Sequence, residues 1–257
     1  MAKDLINGYV NVETHKGITT IEFFHPQSNS LPHRILEALA NEIHDAGSDH
    51  ETKVIILRSG GEKAFCAGAS FDELTKIQNE KQGFAFFSGF ANVINAMRKC
   101  PKFIIGRIHG KCVGGGVGLA AAVDYAIAVE GADIKLSELA LGIGPFVVGP
   151  AVQRKIGLSC FSQLAIDATL WRNADWARRK GLYSELHSSV ESMDESIRRL
   201  SHNLSHSSPE AMAEMKKIFW QGTEDWDDVL CQRAEISGRL VLGHHTKEAI
   251  AKFKAKA

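Results

Sequence analysis

Four glycines within five residues, Gly114-Gly115-Gly116-Val117-Gly118, constrain this chain more than any other stretch. Three in succession leave no side chain to hold a ligand off the backbone, so peptide N–H groups are open to close approach. An apolar stretch precedes the run, and an alanine-rich stretch over residues 119–123 reads as helix. The run therefore falls at a helix N-terminus, where N–H groups lack intrahelical partners and carry partial positive charge. Such a site holds an anion, or an oxygen becoming one.

At 257 residues the chain can bury a large core, as one large domain or a domain with an appendage. Its 44% hydrophobic and 23% charged residues are those of an ordinary globular protein. Lysine plus arginine equals aspartate plus glutamate, 30 each, so no nucleic-acid or membrane-surface partner is expected from charge. Five cysteines (Cys66, Cys100, Cys112, Cys160, Cys231) form no C-x-x-C pair and are odd in number, which fits a reducing cytoplasm better than a disulfide framework. The N-terminal residues lack the apolar core of a signal peptide, and no 18-residue apolar run predicts a membrane span.

Residues 9–24 read as a β-hairpin turning at His15-Lys16-Gly17. Asn29-Ser30-Leu31-Pro32 reads as a helix cap followed by an early proline, with Ile35, Leu36, Leu39 and Ile43 at helical spacing after it. Apolar runs at 54–57, 103–108, 125–129 and 134–136 read as strands, and 84–98 as a helix. Strand, glycine-rich turn and helix recur, which predicts an α/β domain with largely parallel strands. After about Ser201 the pattern turns helical: Ser208-Pro209-Glu210 starts one helix, Thr223 caps another, and residues 246–254 form a basic last one.

Several familiar motifs fail. The glycine run is not the G-x-G-x-x-G of a dinucleotide site. The run from Gly106 to Lys111 is one residue short of a phosphate loop, with Cys112 where a magnesium-binding hydroxyl belongs. There is no G-x-S-x-G elbow. His202 and His206 share a helical face without an accompanying cysteine or acid, so no metal is expected. Two features remain: Ala67-Gly68-Ala69 and the glycine run, each between a strand and a helix. One such turn is more often a packing device; two in one domain can aim two peptide N–H groups at one oxygen, as in an oxyanion hole.

Residues 64–74, Ala-Phe-Cys-Ala-Gly-Ala-Ser-Phe-Asp-Glu-Leu, and 109–116, His-Gly-Lys-Cys-Val-Gly-Gly-Gly, resemble the two signature segments of the crotonase superfamily, the enoyl-CoA hydratases and isomerases. Their spacing of roughly 45 residues, the chain length, and the run from Leu136 to Ile143 fit as well. The resemblance implies a crotonase-like spiral of β-β-α units over residues 1–197, holding the acyl-CoA site, and a C-terminal helical oligomerisation region over 198–257. It implies that the N–H groups of Ala69 and Gly115 bind the thioester carbonyl oxygen. It also implies that Ala67, Gly68, Ser70, Phe71, Asp72 and Gly114 line the CoA path, and that Phe253 closes a neighbouring site. Expected partners are the acyl-CoA substrate and copies of the chain in a homotrimer or hexamer. No cofactor is expected beyond the coenzyme A that the substrate carries.

The sequence departs from the family's hydratases at Gly118, where these resemble G-G-G-x-E and carry a glutamate. The second glutamate of the family matches Glu138. Moving a double bond needs one base that takes a proton from one carbon and returns it to another, whereas the two-glutamate addition of water divides the work. The resemblance therefore leans to Δ3–Δ2 enoyl-CoA isomerisation with Glu138 as the single acid/base group. Ile143-Gly144-Pro145-Phe146, apolar just past Glu138, points the same way. The alternatives are a hydratase, of enoyl-CoA or methylglutaconyl type, that recruits Asp72, Glu73 or an ordered water; an acyl-CoA decarboxylase; and a non-catalytic acyl-CoA-binding subunit.

Overall fold

The computed structural model describes residues 4–254, with side chains up to Lys252. It begins with the expected hairpin, β1 (Tyr9–His15) and β2 (Ile18–Phe24), turned by Lys16 and Gly17 at φ 49° and 80°. β3 (Ser30–Leu31) and α1 (His33–Ser48) follow. Asn29 does not cap α1. Its φ is 57°, and its side-chain amide donates to the carbonyls of Gly60 and Ala64, which removes it from the helix start.

Next come β4 (Val54–Ser59), β5 (Ala64–Cys66), β6 (Gly68–Ala69), the one-turn α2 (Phe71–Leu74) and α3 (Glu80–Lys99). β7 (Phe103–Ile108), β8 (Lys111–Val113) and α4 (Gly115–Ala122) repeat that order, and so do β9 (Tyr125–Val129), β10 (Ile134–Lys135) and α5 (Gly149–Ile166). Then follow α6 (Ala174–Arg179), β11 (Glu185–His187), α7 (Val190–Ser205), α8 (Pro209–Phe219), α9 (Trp226–Leu240) and α10 (His244–Lys254).

Six strands form the main sheet in the order β1-β2-β4-β7-β9-β11, parallel except for the hairpin. A second, parallel sheet has the order β10-β8-β5, and β3 pairs with β6. Each ββα step thus gives one strand to the main sheet, one to the small sheet, and a helix. Three steps in a row make an α/β fold of the expected class. Parallel strands covered on both faces must be apolar throughout, and Val54, Ile55, Ile104, Ile105, Ala126 and Ile127 are all buried. All five cysteines are unpaired, and burial pushes the Cys66 thiol up to about 12, so it stays protonated.

The expected division at 197/198 falls inside α7, which packs across β4, β7 and β9. The later helices return to the same core. α9 lies along α3 with Gly83 against Gly238, where a β-carbon on Gly83 would lie 2.6 Å from the Gly238 carbonyl oxygen. α8 is tied to the sheet by Lys216, whose Nζ donates to Asp124 Oδ2 at 2.8 Å and to the Lys102 carbonyl at 2.7 Å. Ser208 caps α8 as expected, with proline at its first turn. Thr223 does not cap α9: its hydroxyl turns back to the Trp220 carbonyl, and Asp225 occupies the cap position.

Candidate active site

The glycine run does not precede its helix; it is the helix's first turn. Gly114 turns the chain out of β8 at φ 52°, ψ −113°, a conformation that favours glycine. Its carbonyl accepts the N–H of Val117 at 2.9 Å and of Gly118 at 3.2 Å. The N–H groups of Gly115 and Gly116 precede the first intrahelical donors. Gly115 is glycine for a second reason: a β-carbon there would lie 2.3 Å from Cζ of Phe90, whose ring packs on the Gly115 Cα.

The second glycine turn meets the first. Gly68, at φ 93°, faces β8 so closely that its β-carbon would lie 3.1 Å from the Val113 carbonyl oxygen and 3.6 Å from the Gly115 nitrogen. Ser70 donates its N–H to the Leu31 carbonyl at 2.9 Å. In extended chain the preceding N–H, that of Ala69, points to the opposite side. Ala69 and Gly115 both line a cavity of about 1440 Å³.

Glu138 enters the same cavity from the turn after β10. Its carboxyl lies against Gly114, where a β-carbon would be 2.9 Å from Oε1. Its Oε2 is buried and has no hydrogen-bond partner among the described residues. That burial pushes the carboxyl from the ordinary 4.5 up to about 7, against a smaller opposing effect of its own backbone N–H. A carboxyl of that kind exchanges protons near neutrality, as an acid/base group requires.

Of the remaining residues read from sequence, Ala67, Gly68, Phe71, Asp72 and Gly114 line the cavity. Ser70 does not: it is buried, and its hydroxyl caps α2 by accepting the Glu73 N–H. The Phe253 side chain lies outside the described residues. Asp72 accepts a hydrogen bond from the Gln27 side chain, and Glu73 faces elsewhere, its Oε2 accepting the His33 N–H at 2.8 Å. Sequence reasoning missed Phe86, Phe87 and Phe90 of α3 and the α10 face made by His245, Glu248, Ala249 and Lys252, all of which line the cavity. The spacing of the α10 residues is that of one helical face, a signal present in the sequence but without a direction until α10 is docked.

Gly118, in the same helix as Gly115, lies against Val148. A β-carbon there would lie 2.5 Å from Val148 Cγ1, so an apolar side chain fills the space beside it.

Residues 13–256 match the family model described as enoyl-CoA hydratase/isomerase. The chain belongs to the enoyl-CoA hydratase/isomerase family. Among relatives in this crotonase superfamily, mouse mitochondrial methylglutaconyl-CoA hydratase is 31% identical over 200 residues, 76% of this chain and 63% of that one. The chain thus spans a little under two thirds of that relative. A probable enoyl-CoA hydratase of Bacillus subtilis is 26% identical over 249 residues, 96% of each chain. The crystal structure of an enoyl-CoA hydratase from Bacillus halodurans superimposes with a TM-score of 0.87 over 95% of this chain and 99% of that one, at 21% identity, which shows a shared fold. The family is one of enzymes acting on CoA thioesters, and in this member Gly68-Ala69 and Gly114-Gly115 meet at one cavity.

Proposed function

We propose that this protein isomerises 3-enoyl-CoA thioesters to 2-enoyl-CoA thioesters. The substrate's thioester oxygen sits between the N–H groups of Ala69 and Gly115. The Glu138 carboxylate takes a proton from C2, and the electron pair moves onto the thioester oxygen as a dienolate. Glu138 then returns the proton to C4 and the double bond ends between C2 and C3, so no atom is gained or lost. Two fixed donors bind the dienolate oxygen more strongly than the neutral carbonyl, which lowers the barrier rather than only the binding energy. The observation that carries the reading is the pairing of one raised, buried carboxyl, Glu138, with a valine-filled space at Gly118.

The reading extends to a reducing, cytoplasmic setting, supported by the five unpaired cysteines. It also includes a homotrimer or hexamer built with the helices after residue 197, supported by the exposed Met215, Ile218 and Phe219 on one face of α8. Among the described residues no helix is long and apolar enough to cross a membrane.

Hydration is the second reading. It is favoured by relatives named as hydratases and by Asp72 and Glu248, which line the cavity with Glu138. Assays of purified protein with 3-enoyl-CoA and 2-enoyl-CoA separate the two. Isomerisation is followed as the conjugated product absorbs in the ultraviolet, and hydration as that absorbance is lost. Turnover of the first substrate without the second supports isomerisation; the reverse supports hydration. Neither turnover, together with no CoA-thioester binding by calorimetry, overturns both.

A further inference from the structure

The turn that carries Glu138 is held at its far end by the C-terminal helix. Leu141 and Ile143 each donate their N–H to the Glu138 carbonyl at 3.0 Å, and Gly142 donates to the Leu139 carbonyl at 2.9 Å. The turn ends on Gly142 in the left-handed region, at φ 78°. Against it lies Thr246, in the first turn of α10 and 1% exposed. The Thr246 hydroxyl oxygen is 3.1 Å from the Gly142 carbonyl and 3.0 Å from the Leu240 carbonyl at the end of α9. A hydroxyl has one proton, so the two acceptors share it. A β-carbon on Gly142 would lie 2.8 Å from that hydroxyl, so turn and helix are in direct apposition.

We propose that Thr246 is a positioning residue, which through Gly142 fixes the turn that aims the Glu138 carboxyl into the cavity. It acts only through that turn, and the inference rests on Glu138 being the acid/base group. Among the described residues, the titratable side chains sharing the cavity with Glu138 are Asp72 of α2, Lys135 of β10, and His245, Glu248 and Lys252 of α10. Three of these five ride on the helix that Thr246 anchors. A ligand seated against α10 is therefore linked to the aim of Glu138. The unpartnered, buried Oε2 needs the turn closed; a loosened turn admits water and lets the carboxyl fall from about 7 towards 4.5.

The test compares Thr246→Val, which keeps the shape and removes the hydroxyl, with Thr246→Ser, which keeps the hydroxyl. Two readouts need no substrate: amide hydrogen exchange along 139–143, and the Glu138 carboxyl titration followed by NMR. In T246V, exchange in the turn accelerates by about tenfold. The Glu138 titration moves down, and kcat falls about tenfold with KM changed less than about twofold. T246S restores all three. Unchanged exchange and titration in a folded T246V overturn the proposal, and so does acceleration equal to that in β7, which marks a global loss of stability alone. A loosened turn and a moved titration in T246V, combined with full turnover by E138Q, support the positioning and overturn the acid/base reading instead.

Discussion

Val148 fills the space beside Gly118. A β-carbon on Gly118 would lie 2.5 Å from Val148 Cγ1 and 2.8 Å from Val148 Cβ, and Val148 is itself buried. Gly118→Glu is therefore expected to destabilise the protein by about 1–3 kcal/mol through overpacking, without giving hydratase activity. Adding Val148→Ala should return at least about 1 kcal/mol of that loss, because the two side chains compete for one space. Urea denaturation of the two single variants and the double measures the coupling; strictly additive effects would refute the competition.

Glu138→Gln tests the acid/base group in two independent ways. Turnover should fall by roughly 10²–10⁴, the range for removing a positioned acid/base group, while calorimetric affinity for a saturated acyl-CoA persists. In the parent protein kcat/KM should rise with pH to a plateau above about 7, since the base must be ionised.

The same carboxyl has a stability signature. Its folded pKa is raised from 4.5 to about 7, so the folded state holds the proton more tightly than the unfolded chain. The stability this contributes is full below about 4.5 and is lost as pH rises through about 7. E138Q should accordingly gain stability over the parent between pH 5 and pH 8, by at most about 3 kcal/mol. Thermal melts across that range check it, and a constant difference would show that the carboxyl is not desolvated.

Gly115→Ala keeps the N–H donor and displaces it, because the new methyl meets the Phe90 ring. A rate loss of roughly 10²–10³ is expected, the usual effect of losing one oxyanion donor. Phe90→Ala in the same chain should recover part of kcat relative to G115A alone. No recovery in steady-state kinetics would mean that Phe90 does not set the position of this peptide.

Lys216→Met should cost about 3–5 kcal/mol in chemical denaturation, because it removes the ammonium hydrogen-bonded to the buried Asp124 carboxylate and leaves the more distant charges of Arg154 and Lys155 beside it. The pair is nearly closed to solvent, with side-chain exposures of 2% and 9%, and Asp124 also accepts from Ile104 N–H and Trp220 Nε1. Asp124→Asn with Lys216→Met should be less damaging than K216M alone. Equal damage would show that the charge is not what matters.

The parts of the fold legible in the sequence are those decided by neighbours along the chain. The hairpin, the apolar strands and the Ser208-Pro209 helix start carry their signals within a few residues. Asn29 and Thr223 do not act as the caps their sequence context predicts, because distant or backward carbonyls compete for their side chains: Gly60 and Ala64 for the first, Trp220 for the second. Ala69 and Gly115 follow from the resemblance of the two signature segments, and Glu138 from that of the run Leu136 to Ile143. The filling of the Gly118 space by Val148, and the turning of Glu248 into the cavity, depend on contacts between elements far apart in the chain, which no local pattern encodes.

The small sheet gives the site a modular layout. Each of its strands leads into one chemical part: β5, through β6, into Ala69, β8 into Gly115, and β10 into Glu138. Strand pairing in β10-β8-β5 thus acts as the ruler between donor, donor and carboxyl, one rung for each. A slip of one residue in any rung would shift its group by about 3.3 Å and turn it to the wrong face. The spacing of the two glycine turns and the carboxyl is thereby a property of backbone pairing, set before any side chain is chosen.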